Sequence, residues 1–148
     1  MIKPYYETAR GKLYHADCLD ILPEIEQVDL VLTDPPYGIN YDYLSYQDTP
    51  ENLIKLVNGF MPILLEKASR TGVFCGINNI HKYPVPTWIM AYTYEQTCTY
   101  GLYGYNQWQP VLMYGKDLKG FGSINGKLKS DKMSFSGSAV GFMNPDNK

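Results

Sequence analysis

Residues 28–38 read VDLVLTDPPYG, an aliphatic run that gives way abruptly to an acidic residue, two prolines and a tyrosine. Val28 to Thr33 lacks the strict alternation of a strand with one wet face, which predicts a parallel strand covered on both faces. Pro35 and Pro36 cannot donate to a strand ladder, so pairing has to stop at Asp34. In open α/β sheets the place just beyond such a strand end is where ligands bind.

Upstream, Leu13 to His15 is a short strand candidate that ends at Ala16-Asp17. Cys18, Leu19, Leu22 and Ile25 then recur at near-helical spacing, with Asp17 placed to cap the turn. Downstream, Thr49 can cap a helix whose first residue is Pro50, and Leu53, Ile54, Leu56, Val57, Phe60, Met61, Leu64 and Leu65 give it a broad apolar face. Pro62 removes a donor inside that helix, so a kink or break is expected near Asn58-Gly59; running straight through costs roughly 3 kcal/mol. Val73 to Ile77 reads as a second buried strand, which makes a strand-helix-strand crossover. Thr93 to Tyr100 and Gln109 to Tyr114 read as an antiparallel pair at one edge of the sheet. The fold class is α/β.

A chain of 148 residues with net charge -2 and 45% apolar residues is sized for one folded domain and is not composed like a disordered one. Cys18, Cys75 and Cys98 are widely separated, which suggests neither a disulfide framework nor a zinc site and fits a reducing cytoplasm. His15 and His81 are far apart, so no metal is expected. The apolar stretch from Leu53 to Leu65 is interrupted and falls short of the roughly 20 residues that span a bilayer, so no membrane partner is expected. Residues 1–114 form the main unit. Residues 115–148 are rich in Gly, Ser and Lys and carry a local charge of +3. Lys116, Lys119, Lys127, Lys129 and Lys132 could track phosphates there, or simply solvate a surface loop.

The tetrad Asp34-Pro35-Pro36-Tyr37 suits chemistry on an exocyclic amine of a planar ring. The amine lone pair is delocalised into the ring, so a catalyst must accept hydrogen bonds from its hydrogens. The Asp34 carboxylate is one acceptor. The Pro35 carbonyl is a second, held by Pro36, which restricts the backbone before it and brings no competing donor. Tyr37 can stack on the ring of an everted base. The plainer alternative is that the prolines only end the strand and Tyr37 packs over it.

The segment LYHADCLDILPEIEQVDLVLTDPPYG, residues 13–38, resembles the DNA amino-methyltransferases, especially the N6-adenine enzymes of restriction-modification and phage systems. GVFCGINNIHKYP from Gly72 and GYNQWQPVLMYGKD from Gly104 are similar to later blocks of that family in the same order. The resemblance implies a partial Rossmann-like methyltransferase sheet, double-stranded DNA as partner, S-adenosylmethionine as donor and a bacterial or phage origin. It implies amine binding by Asp34 and Pro35, stacking by Tyr37, and donor contact by Asp17 with Cys18 beside it and Asp34 nearby. Asp17 is equally a helix cap, and the two roles are compatible.

One family feature is missing. A glycine-rich strand-to-helix turn lets backbone approach the donor closely, and the sequence has none in a convincing place. In the circularly permuted order that this chain resembles, that turn follows the target-recognition region. The expectation is therefore a catalytic half over residues 1–114, followed by the start of a target-recognition region over 115–148. A second chain supplying the glycine-rich half, or a homodimer, would complete it. The readings left open are an N6-adenine DNA methyltransferase or a fragment of one, the N4-cytosine variant, and a non-catalytic remnant that binds DNA or a partner. Exposed apolar surface on the sheet is expected where strands are missing.

Overall fold

The computed structural model describes residues 2–94, 99–101 and 103–115, together with strand positions 123–124, 127–128 and 132–135. The chain opens with a hairpin, β1 (Tyr6–Thr8) against β2 (Gly11–Leu13), which replaces the strand expected at Leu13 to His15. A single helical turn follows, α1 (Cys18–Ile21), and runs into a 3-10 turn at Leu22–Glu24. The Asp17 carboxylate accepts from the Leu19 amide at 2.8 Å, so it caps α1.

The central unit is β3 (Val31–Thr33), α2 (Pro50–Lys67) and β4 (Arg70–Phe74), with β3 and β4 parallel in the register Leu32 to Gly72. Thr49 caps α2 by accepting from the Asn52 amide at 3.2 Å, and Pro50 takes the first helical position, where its missing donor costs nothing. The helix is not broken at Asn58-Gly59. Asn58 and Pro62 both lie on the exposed face, so water can serve the Asn58 carbonyl that Pro62 leaves unpaired.

Two further strands, β5 (Trp88–Tyr94) and, after the hairpin β6 (Thr99–Gly101) and β7 (Gly104–Asn106), β8 (Trp108–Gly115), form the antiparallel pair. This pair differs from the sequence reading in extent and place. The strand begins at Trp88, not Thr93, and β8 lies between β4 and β5, inside the sheet. Val111 and Leu112, on opposite faces of β8, are both buried, so both faces of the sheet are covered at this central strand. Short strands β9 (Ser123–Ile124) and β10 (Lys127–Leu128) pair with each other, and β11 (Lys132–Phe135) adds parallel to β5. The main sheet runs β11-β5-β8-β4-β3.

The core lies between α2 and one sheet face, where Leu53, Val57, Phe60, Met61 and Leu64 meet Val73, Cys75, Leu112 and Tyr114. The other face differs. Leu32 and Met113 fill the space over Gly72, yet Leu32 remains 63% exposed, and Leu30 (52%) and Trp88 (57%) share that side. The expectation that β3 is covered on both faces is thus corrected: α2 covers one face, and β3 is an edge strand of the described sheet. No helix among the described residues is long and apolar enough to cross a membrane.

Candidate functional site

β3 ends at Thr33, and the tetrad leaves its carboxyl end. Because β8 runs antiparallel to β4 in the register Phe74 to Val111, Gln109 comes to the same end of the sheet. Asp34, Pro35, Tyr37 and Gln109 border a cleft of about 350 Å³, whose outer wall is Ile39, Tyr41 and Tyr43. That volume is at the small end of the range for ligand sites, ~300–1,000 Å³. Asp34 is exposed, and its Oδ1 accepts from the Tyr37 hydroxyl at 2.6 Å. This short bond fixes the carboxylate and directs the phenol toward it, a restraint the sequence reading of Tyr37 did not include. The ring also borders Gly76, where an added Cβ would sit 3.5 Å from Tyr37 Cδ2. Pro36 is not among the residues that border the cleft; its part is to stiffen the backbone beside Pro35.

Two buried polar residues fasten the tetrad, and sequence reasoning named neither. Asp48, 2% exposed, accepts from the amides of Gly38 (2.6 Å), Ile39 (3.1 Å) and Tyr41 (3.2 Å), while its carbonyl accepts from the Asn40 amide at 2.7 Å. Every backbone amide from Gly38 to Tyr41 therefore points at one residue. This curl needs positive φ at Gly38 (68°) and Asn40 (59°), and a side chain at Gly38 would crowd the Pro50 Cα at 3.0 Å. From the other side, Asn79, buried in the 3-10 turn Ile77–Lys82, donates through Nδ2 to the Tyr37 carbonyl at 2.7 Å. Asp48 precedes a helix cap, a position with a turn signal. Asn79 carries no local signal, because its partner is 42 residues away.

Asp17 and Cys18 do not border this cleft. Asp17 is engaged as the α1 cap, and burial first, then the Asp17 charge, raises the Cys18 thiol above its ordinary range. Lys116, Lys119 and Lys129 lie outside the described residues, as does Cys98; Lys127 and Lys132 sit on the short strands β10 and β11. The described residues include no group of three His, Cys, Asp or Glu placed to hold a metal ion.

No protein-family model matches the chain. Over 44 residues it is 43% identical to the Type II methyltransferase M.BamHI of Bacillus amyloliquefaciens, a match covering 28% of this chain and 10% of that protein. Over 43 residues it is 49% identical to the Type II methyltransferase M.ScaI of Streptomyces caespitosus, covering 28% of this chain and 14% of the relative. A solved structure titled as the M1.HpyAVI-SAM complex superposes with a TM-score of 0.43 at 18% identity, over 68% of this chain and 52% of that one. The chain thus carries a segment similar to Type II methyltransferases and spans a small part of the length of those curated relatives.

Proposed function

We propose that the chain is the amine-binding half of a DNA methyltransferase that acts on the N6 amine of adenine. Residues 1–114 are its catalytic half, and 115–148 begin its target-recognition region. The observation that carries the reading is the convergence of Asp34, Pro35 and Tyr37 on one cleft beyond the end of β3. Asp34 accepts a hydrogen of the amine and the Pro35 carbonyl accepts the other, drawing the nitrogen toward tetrahedral geometry. Tyr37 orients the carboxylate through its hydroxyl while its ring flanks the base. Asp48 and Asn79 keep both acceptors in register, so little reorganisation is left for the moment of reaction.

S-adenosylmethionine is the methyl donor in this reading, supported by the similarity to Type II methyltransferases. The described residues fit the donor only in part, because Asp17 is occupied as a cap and neither it nor Cys18 reaches the cleft. A second reading, a non-catalytic or split half that binds DNA or a partner chain, is favoured by the exposed apolar residues Leu30, Leu32 and Trp88 on the side of the sheet away from α2. The place of action is the cytoplasm of a bacterium, or of one hosting the phage that encodes the chain.

Incubating the chain with labelled S-adenosylmethionine and double-stranded DNA, then digesting to nucleosides, tests this. N6-methyladenine is expected, and N4-methylcytosine would move the reading to the cytosine variant. No product, together with no heat of donor binding, would support the split half.

A further inference from the structure

The loop that walls the cleft carries an apolar tip that the amine chemistry does not use. Pairing of Asp42 with Gln47 closes a tight turn over Tyr43 to Tyr46, and Leu44 at its crest is fully exposed. Ile39 (66%) and Tyr41 (61%) are also largely exposed, and they border the cleft itself. A single exposed leucine means little. Here it crowns a loop in which Ile39, Tyr41, Tyr43, Leu44 and Tyr46 recur, and the loop has been stiffened from below.

The stiffening is specific. Asp48 gathers the amides of Gly38 to Tyr41 at the base of the loop. Above it the rings of Tyr41 and Tyr43 lie 4.8 Å apart, and that of Tyr46 stands edge-on to Tyr43 at 6.3 Å. An apolar tip on a braced arm can be pushed into a surface without folding back.

Charge selects the surface. From Asp34 to Ile54 there is no Lys or Arg, while Asp34, Asp42, Asp48 and Glu51 are acidic. The loop cannot act by gripping phosphates. Its chemistry suits the faces of bases, which accept apolar and aromatic side chains without charge. If an adenine leaves the duplex for the cleft, its neighbours lose their stacking partner, and an apolar side chain entering the gap offsets that loss.

Resting on the base-pocket reading above, we propose that Leu44 is a wedge that enters the base stack of duplex DNA beside the adenine held in the cleft. The residue then matters for duplex substrates and not for single strands, whose bases are already free. Its contribution is independent of salt, unlike that of the lysines.

The test uses the full chain and two probes. One is a duplex in which an adenine faces an abasic position and has 2-aminopurine as its neighbour in the same strand, within randomised flanks; the other is that strand alone. The chain is expected to raise 2-aminopurine fluorescence in the duplex. Leu44→Ala is expected to weaken duplex binding roughly 10-fold, with single-strand binding kept within about twofold. Leu44→Phe should restore duplex binding, and the slope of log affinity against log salt should be the same for all three proteins. Equal duplex binding by wild type and Leu44→Ala, equal losses on both probes, a changed salt slope, or duplex binding without a fluorescence rise would each overturn the wedge. Failure of the underlying reading looks different: single-strand binding that survives Tyr37→Ala faults the base pocket, whereas Tyr37-sensitive binding indifferent to Leu44 faults only the wedge. Absence of binding to either probe overturns both.

Discussion

On the α2 side of the sheet, Val73, Cys75, Leu112 and Tyr114 are shut away from water. On the reverse side, along the flanking strands β3 and β5, Leu30, Leu32 and Trp88 are open to it, while Val111 on the central strand β8 is buried. The two sides are built from equally apolar residues, so composition does not explain the contrast. Coverage does: a helix of 18 residues lies across one face, whereas the other is shielded at Val111 and open at Leu30, Leu32 and Trp88. The tetrad leaves β3 at the border between them, braced by residues anchored on the covered side. The tetrad is therefore braced from the covered side, while Leu30, Leu32 and Trp88 leave apolar surface open on the other.

Truncation should separate the faces most strongly. Leu53→Ala on the α2 side is expected to lower unfolding free energy by about 2–5 kcal/mol in urea titration. Trp88→Ala on the bare side should change it by less than about 0.5 kcal/mol, as at an open surface. Similar losses at both positions would mean that both faces are covered in solution.

Asp48→Asn probes the brace between core and site. It replaces an acceptor facing three amide donors by a group that must turn an NH2 toward at least one of them. A loss of roughly 1–3 kcal/mol is expected. It should be concentrated as faster hydrogen exchange of the Gly38 to Tyr41 amides and faster cleavage of the loop beyond them. Unchanged exchange at those amides would show that the carboxylate does not hold the loop.

The smallest effect is a pH dependence confined to the covered face. Burial pushes the Cys75 thiol up to about 12 from an ordinary value near 9, and pushes the Tyr114 hydroxyl up to about 12; it raises Tyr83 as well. The unfolded chain then releases these protons before the folded one does. Their stabilising contribution is complete well below pH 9 and is lost as pH climbs toward 12, with about 1 kcal/mol from Cys75 alone gone between pH 9 and 10. Denaturation at stepped pH should show this fall, and Cys75→Ala should flatten its first part. A curve equally steep in that variant would assign the loss to other groups.

What the sequence made legible was local. The tetrad at a strand end, the Thr49 cap with Pro50 behind it, and the β3-α2-β4 crossover are each written within a few residues of one another. What it concealed depended on distant partners. The Trp88 to Tyr94 strand follows Pro84 and Pro86, and its identity comes from pairing with β8 across the sheet. The tyrosine tether to Asp34 depends on how the loop curls, and that curl is set by Asp48. Asn79 reaches the tetrad only because β4 runs beside β3. The aliphatic run in β3 reads as buried on both sides whether or not a second layer is present.

The central claim is that Asp34 accepts a hydrogen bond from the amine of an everted adenine. The direct measurement is the affinity of the chain for a single-stranded oligonucleotide carrying one adenine, compared with the same strand carrying purine, which lacks the amine, in wild type and in Asp34→Ala. Wild type is expected to prefer adenine by about 10-fold or more, the worth of a hydrogen bond to a charged group, and Asp34→Ala should bind the two strands equally. Equal affinities in wild type, or a preference that survives in Asp34→Ala, would contradict the account.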